Sequence, residues 1–221
     1  MSVTEHPPIN QDKTPIRVFK SDFLEAFTHV HWISVPLLWV PVVLACLALS
    51  IGGHIGATAA GSSVVFPWYI PAGFLIGLVL WTLAEYNVHR FVFHLRPRAP
   101  WQARMVYLAH GIHHHQPHCK TRLVLPPAVS VPMAAIFYGL FYLVIVVVSG
   151  AGQWLLPVFA GFLTGYIIYD LIHYATHHMP VKGRVWKYLK KHHMYHHFKT
   201  PNDRYGVSSP LWDYVYGTLP A

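Results

Sequence analysis

Four stretches of the chain are almost continuously apolar: residues 32–51, 66–84, 128–149 and 153–172. Each is close to the ~20 residues a helix needs to cross a hydrocarbon core of ~30 Å. They hold no Lys, Arg, Asp or Glu until Asp170, in the last turn of the fourth. Trp32, Trp68, Tyr69, Tyr86, Trp154 and Tyr174 gather near their ends, where amphipathic rings anchor a helix at the membrane interface. Pro36, Pro41, Pro71, Pro132 and Pro157 mostly fall near the starts, where a helix tolerates proline best. The pattern predicts an all-α integral membrane protein. Four transmembrane helices form two hairpins, with a helical, histidine-rich cap on the cytosolic side.

The polar intervals set the orientation. Three basic residues precede the first stretch, six lie between the second and third, and seven follow the fourth, which accounts for all sixteen Lys and Arg. The connections 52–65 and 150–152 have none. By the positive-inside rule the basic side is cytoplasmic, so both termini face the cytosol in a multi-pass topology. Residues 1–31 read as a polar leader and 32–221 as the membrane domain. Within the leader, 1–14 are expected to be disordered. The spacing of Val18, Phe19, Phe23, Leu24 and Phe27 suggests a short helix in the interface. Ala57–Ala59 resembles a cleavage site, but the leader and the apolar run before it are both too long for a signal peptide.

Composition agrees with a chain that meets lipid. The 221 residues are 54% hydrophobic and 11% charged, against about 25% charged in soluble domains. The net charge of +8 follows from topology and attraction to anionic lipid or serves to steer an acidic electron carrier; no nucleic-acid partner is expected. Cys46 and Cys119 are too few for a disulfide framework, and Cys119 has no second cysteine beside it to complete a metal site.

Eighteen histidines are the anomaly. Ten fall into four clusters on the basic side: His89 and His94; His110, His113 and His114; His173 and His177; His193, His196 and His197. Positions i, i+3 and i+4 share a helix face, so the two triplets can each converge, and His173 and His177 stack one turn apart. His89 and His94 are offset by roughly 140° on an ideal helix. That spacing suits two ligands reaching one ion from different sides, or a distorted helix. Ten imidazoles exceed one ion's capacity and point to two, without choosing among iron, zinc and copper. A ferritin-like carboxylate site needs four glutamates; the chain has Glu5, Glu25 and Glu85. Glu85, four residues before His89, and Asp170, three before His173, are placed to orient ligands through their second ring nitrogens. His6, His29, His31 and His54 read as ordinary polar residues, while His115, His118, His178 and His192 sit beside the clusters but out of register.

Three segments carry a resemblance: 85–94, 110–127 and 205–218 look like the fatty acid hydroxylase superfamily, nearest the fatty acid 2-hydroxylases that act on sphingolipid acyl chains. The likeness spans about residues 80–218 and includes all four clusters in order. It implies a four-helix membrane protein whose ten in-register histidines hold two iron ions on the cytosolic side. It also implies insertion of one oxygen atom from O2 at C2 of a fatty-acyl chain. Zinc can replace labile iron in a purified sample, since imidazole accepts both. Some relatives carry a fused cytochrome b5 domain that is not seen here, so two electrons per turnover are expected from a separate donor, cytochrome b5-like or a ferredoxin with its reductase. An alkyl C–H bond offers no acid or base handle, so a redox metal is needed, and positioning selects the carbon. Phe91, Phe93, Tyr174 and Trp212 are candidates to line the substrate path. The rival readings are a sterol or carotenoid hydroxylase or lipid desaturase of the same superfamily, a zinc hydrolase, and a metal transporter. Transport sites lie near the bilayer midplane, whereas these histidines lie outside the apolar runs.

Overall fold

The computed structural model describes residues 8–12, 14–61 and 66–220. Among them there is no strand, and every regular element is a helix. The elements are α1 (Asp22–Ala26), α2 (Ser34–Ala59), α3 (Tyr69–Asn87), α4 (Pro100–Val106), α5 (Ile112–His115), α6 (Pro127–Phe141), α7 (Leu155–His178), α8 (Arg184–Phe198) and α9 (Leu211–Val215). Wider π-helical turns extend α3 over Val88–Phe93, join α4 to α5 over Tyr107–Gly111, and extend α6 over Tyr142–Val148. Four segments are long and apolar enough to cross a membrane: Ser34–Ala59, Tyr69–Phe93, Pro127–Val148 and Gly152–His178. The first helix runs well past the expected end at Ile51; Gly52, Gly53 and Gly56 each have open space beside them and do not break it.

The contacts divide the chain into two compact units. One comprises 33–81 and 130–167. Along α2 a single stripe is buried, Val35, Trp39, Val43, Cys46 and Ser50, at the three- and four-residue spacing of one helix face. The rest stays apolar and outward: Leu37, Leu44, Leu49 and Ile55 are exposed. On α6, Ile136 and Leu140 likewise face outward. Exposed apolar faces of this extent suit lipid and not water. Where α3 meets α7, small residues let the backbones touch, as is common in membrane helix pairs. A Cβ on Gly161 would lie 1.9 Å from the Phe74 carbonyl oxygen, and one on Gly77 would lie 2.0 Å from that of Val158. Trp81 packs edge-on against Phe162 and Tyr166 beside this seam.

The other unit comprises the N-terminal segment to Trp32 with 82–129 and 168–221. Within the leader, the described residues near Asn10 and Thr14 are hydrogen-bonded to the 115–116 turn. Residues 1–7 and 13 lie outside the described residues, but the Asn10 N–H donates to the His115 carbonyl and the Gln116 amide donates to the Thr14 carbonyl. The interfacial helix shrinks to the five residues of α1, with Phe23 and Phe27 exposed. Glu25 on α1 fixes the segment. It accepts from the Val18 and Phe19 amides and pairs with the buried Arg122, which also donates to the Ile16 carbonyl. Burial would raise the Glu25 carboxyl, yet these hydrogen bonds and the Arg122 charge prevail and lower it.

Candidate metal centre

All ten in-register histidines lie in this second unit, and their imidazoles form two groups of five. His89, His94, His110, His114 and His196 make one; His113, His173, His177, His193 and His197 make the other. Within each group one nitrogen from every ring lies within 4.8 Å of the rest. The groups abut, with the His114 and His197 rings stacked at 4.1 Å.

Local helix geometry explains which histidine joins which group. Pairs four apart stay together: His110 with His114, His173 with His177, His193 with His197. The member three along crosses to the neighbouring group, so each triplet serves both; His113 leaves its triplet and His196 leaves its own. His89 and His94 share a group because the helix widens there. The His94 N–H bonds to the His89 carbonyl at 3.1 Å, an i→i+5 bond that closes a π-turn, a feature frequent at functional sites.

The ring nitrogens suit cations and not one another. His89 donates from Nδ1 to the Tyr205 carbonyl at 2.5 Å, and His196 from Nδ1 to the Asp203 carbonyl at 2.7 Å. A neutral imidazole with its proton on Nδ1 presents a bare lone pair at Nε2. Those lone pairs face other ring nitrogens: His89 to His110 at 3.1 Å and His196 to His94 at 3.1 Å. In the other group His113 lies 3.0 Å from His173 and from His197, and His177 lies 2.9 Å from His193. At a metal–nitrogen distance of about 2.1 Å, ligands at right angles would stand about 3.0 Å apart and tetrahedral ones about 3.4 Å. Both values fall within the 4.8 Å span of each group, so its nitrogens can share one cation. Burial holds His110, His113, His114, His193, His196 and His197 well below the usual imidazole range, with neighbouring rings adding to the effect. They are therefore neutral at pH 7, as metal ligands must be.

One loop, 203–208, buttresses the first group. Its Asp203 and Tyr205 carbonyls receive the two Nδ1 protons, and between them Arg204 adopts φ 61°, a left-handed conformation uncommon outside glycine. Two buried carboxylates hold the loop. Glu85 accepts from the Val207 amide at 2.6 Å and from the Ser208 amide at 2.8 Å, and also from the Ser208 hydroxyl. Asp213 accepts from the amides of Tyr205 and Gly206, both at 2.8 Å, from the Thr218 hydroxyl at 2.7 Å, and pairs with His192 at 3.1 Å. Burial would raise the Asp213 carboxyl, but the bonds from His192, Thr218 and Gly206 outweigh it and lower it. Glu85 thus reaches His89 through the loop. Asp170 is fully buried one turn before His173. Asp213 and the role of His192 escaped the sequence reading, since nothing in linear spacing joins residue 213 to 205.

The remaining candidates are distributed around the centre. Phe93 is buried, stacks on His110 at 5.0 Å and lines an apolar cavity of about 320 Å³. That cavity also touches His110, His113, Ala109, Ala128 and Arg122, with Leu24 and Phe27 of the N-terminal segment at its wall. Phe91 lines a different, polar cavity. Tyr174 packs on Trp32 and His178, and Trp212 donates to Thr82 and stacks on Tyr216; neither lines these cavities. His29 bonds Thr121, His115 bonds Tyr107, and His54 contacts Tyr69; His6 lies outside the described residues. Cys119 is buried beside Thr121 and belongs to neither group.

Comparison with known proteins agrees with this geometry. The family model "Fatty acid hydroxylase" matches residues 74–218. A dihydroceramide fatty acyl 2-hydroxylase of Arabidopsis thaliana is 37% identical over 215 residues, covering 97% of this chain and 84% of that protein. The fatty acid 2-hydroxylase of Rattus norvegicus is 37% identical over 97% of this chain and 58% of its own length. Among solved structures, full-length scs7p, of which only the hydroxylase domain is visible, superposes with a TM-score of 0.84. It is 33% identical over 98% of this chain and 76% of that one. The chain belongs to the fatty acid hydroxylase family, an oxidoreductase built on four membrane-length helices with two five-histidine clusters.

Proposed function

We propose that this chain hydroxylates a fatty-acyl chain at C2, with each five-histidine group holding one iron ion. The observation that carries the reading is the pair of clusters, His89, His94, His110, His114 and His196 beside His113, His173, His177, His193 and His197, with the ring nitrogens of each converging to within 4.8 Å. The names of its relatives, acyl and fatty acid 2-hydroxylases, favour the acyl substrate over a sterol or carotenoid and C2 over other carbons. Bound iron would supply the redox chemistry that lets O2 attack an unactivated C–H bond. Overall the C–H bond is exchanged for C–OH, the second oxygen atom leaves as water, and two electrons with two protons balance the reaction. The electrons come from a separate donor, and the clusters face the cytosol with both termini.

The chain's own residues position the substrate. Phe93, Leu123, Val124 and Leu125 give the cavity beside His110 and His113 apolar walls, into which an acyl chain transfers at about 0.8 kcal/mol per CH2 buried. The same walls exclude water from the reacting carbon, while the Arg122–Glu25 pair closes the N-terminal segment over that side. Loop 203–208 fixes the tautomers of His89 and His196, keeping their Nε2 lone pairs directed at the centre.

The test is lipid mass spectrometry on cells expressing the chain under isotopically labelled O2, beside a His113→Ala control. A labelled hydroxy-acyl lipid that is absent from the control is expected, with fragmentation locating the hydroxyl at C2. Folded, iron-loaded protein supplied with electrons that yields no oxygenated acyl lipid would overturn the reading.

A further inference from the structure

The apolar cavity of about 320 Å³ touches one histidine of each group, His110 and His113. Its volume lies at the low end of the ~300–1,000 Å³ of small-molecule sites, and a membrane lipid is larger than that. Part of the lipid therefore stays outside, and the cavity needs a mouth. The exposed members of its lining mark that mouth. Phe93, Ile112, Leu123, Val124 and Leu125 are buried, whereas Leu24, Phe27 and Ala128 are exposed. Leu24 and Phe27 leave 48% and 54% of their surface open. A side chain that lines a cavity and also faces outward is a wall one side chain thick. All three are apolar, and Ala128 lies in the first turn of the membrane-length segment Pro127–Val148. The mouth thus sits at the level where that helix enters the bilayer. Its surroundings are apolar too: Phe23, edge-on to Phe27 at 5.0 Å, and Val131, one turn along from Ala128, are both exposed, which suits lipid and not water.

Polar bonds hold α1 across this mouth from both sides. Before the helix, Arg122 donates to the Ile16 carbonyl and Arg104 to that of Val18. After it, the Val30 N–H donates to the Thr121 carbonyl at 2.7 Å, and His29 bonds the Thr121 hydroxyl at 2.9 Å. Between these ties α1 meets the cavity through the Leu24 and Phe27 side chains. Exposed side chains change rotamer far faster than backbone segments move, so a ring can swing while the strap stays tied. We propose that the acyl chain enters the cavity from the bilayer past Leu24, Phe27 and Ala128, and that Phe27 decides which chains pass. The inference deepens the acyl-hydroxylase reading and rests on it. Phe27 is the largest of the three side chains at the mouth, and Phe23 braces its ring from outside. A straight chain slides past that ring, whereas a methyl branch must displace it. One added methylene in a hydrophobic site changes discrimination by about 10–200-fold.

The experiment is photo-crosslinking of the metal-loaded full chain in nanodiscs, which reads entry without turnover. The probes are two neutral ceramides with a diazirine on the acyl chain, one straight and one methyl-branched, and adducts are mapped by peptide mass spectrometry. The native protein is compared with Phe27→Ala, Phe27→Trp and Phe23→Ala. Both phenylalanines are exposed and both alanine variants break the same ring pair, but of the two only Phe27 lines the cavity. The straight probe should label segments 18–28 and 123–129 at least about tenfold more than the branched one. That margin should be lost in Phe27→Ala and kept in Phe27→Trp and Phe23→Ala. A Leu24→Cys variant should react with an apolar maleimide and resist a charged one, the native Cys46 and Cys119 being buried. No adduct in either segment, equal labelling of the native protein by both probes, or a margin indifferent to Phe27→Ala overturns the inference. So does a margin lost equally in Phe23→Ala, or rapid reaction of Leu24→Cys with the charged reagent, which sets the mouth in water. Product analysis on the same samples separates the two readings. Labelling that depends on Phe27 without any oxygenated lipid defeats the hydroxylase proposal alone, and hydroxylation with labelling indifferent to Phe27 defeats this one alone.

Discussion

Asp213→Asn tests whether loop 203–208 governs the first histidine group. The side chain is fully buried and accepts four hydrogen bonds, two on each oxygen. Asparagine keeps the shape but only one acceptor oxygen. Whichever way the amide turns, at least one of the Tyr205 and Gly206 N–H groups then faces another donor. Each buried donor left unsatisfied costs about 1–3 kcal/mol, so the variant loses at least about 1–3 kcal/mol of stability. Releasing Tyr205 also frees the carbonyl that orients His89. Loss of such an outer partner usually weakens metal binding 10–100-fold. We expect the purified variant to remain helical by circular dichroism but to surrender one of two ions at a 10–100-fold lower chelator concentration, measured by metal counting. A folded variant that keeps both ions at the native chelator midpoint would refute the role given to the loop.

Other outcomes follow from the same geometry. Gly161→Ala sets a methyl against the Phe74 carbonyl and should lower thermal stability in detergent by about 1–3 kcal/mol or more; Gly139→Ala, with open space beside it, should be neutral or stabilising. Ala128→Phe fills part of the apolar cavity and should shift the hydroxylated lipids, read by mass spectrometry, toward shorter acyl chains without changing metal content. Glu25 has a lowered carboxyl in the folded state, so its stabilisation is present at neutral pH and is lost as pH falls through that lowered value. Glu25→Gln should flatten this part of the stability–pH curve and lower stability at pH 7, with Arg122 left buried without its charge partner.

The four membrane-length helices were legible because an apolar run of that length has few other uses. The clustering of the histidines was legible because imidazoles at three- and four-residue spacing leave a helix on one side. What spacing could not supply was the sorting. On an ideal helix His110, His113 and His114 share a face and invite assignment to one ion, yet a face is about 100° wide, wide enough to present nitrogens to two adjacent centres. The four-residue pairs stay together because they are nearly eclipsed, about 40° apart; the three-residue partner lies on the other side of the stripe and reaches the neighbour. Likewise the 89–94 spacing was read as either an approach from two sides or a distorted helix. The π-turn at Val88–Phe93 makes the second of these produce the first. The loop that orients His89 and His196 was illegible for a different reason. Its contribution comes from backbone carbonyls, which every residue has, and only Asp213, Glu85 and the left-handed Arg204 mark where those carbonyls are aimed. Side-chain chemistry leaves a pattern in sequence; the backbone geometry that disciplines it becomes visible only once the chain is folded.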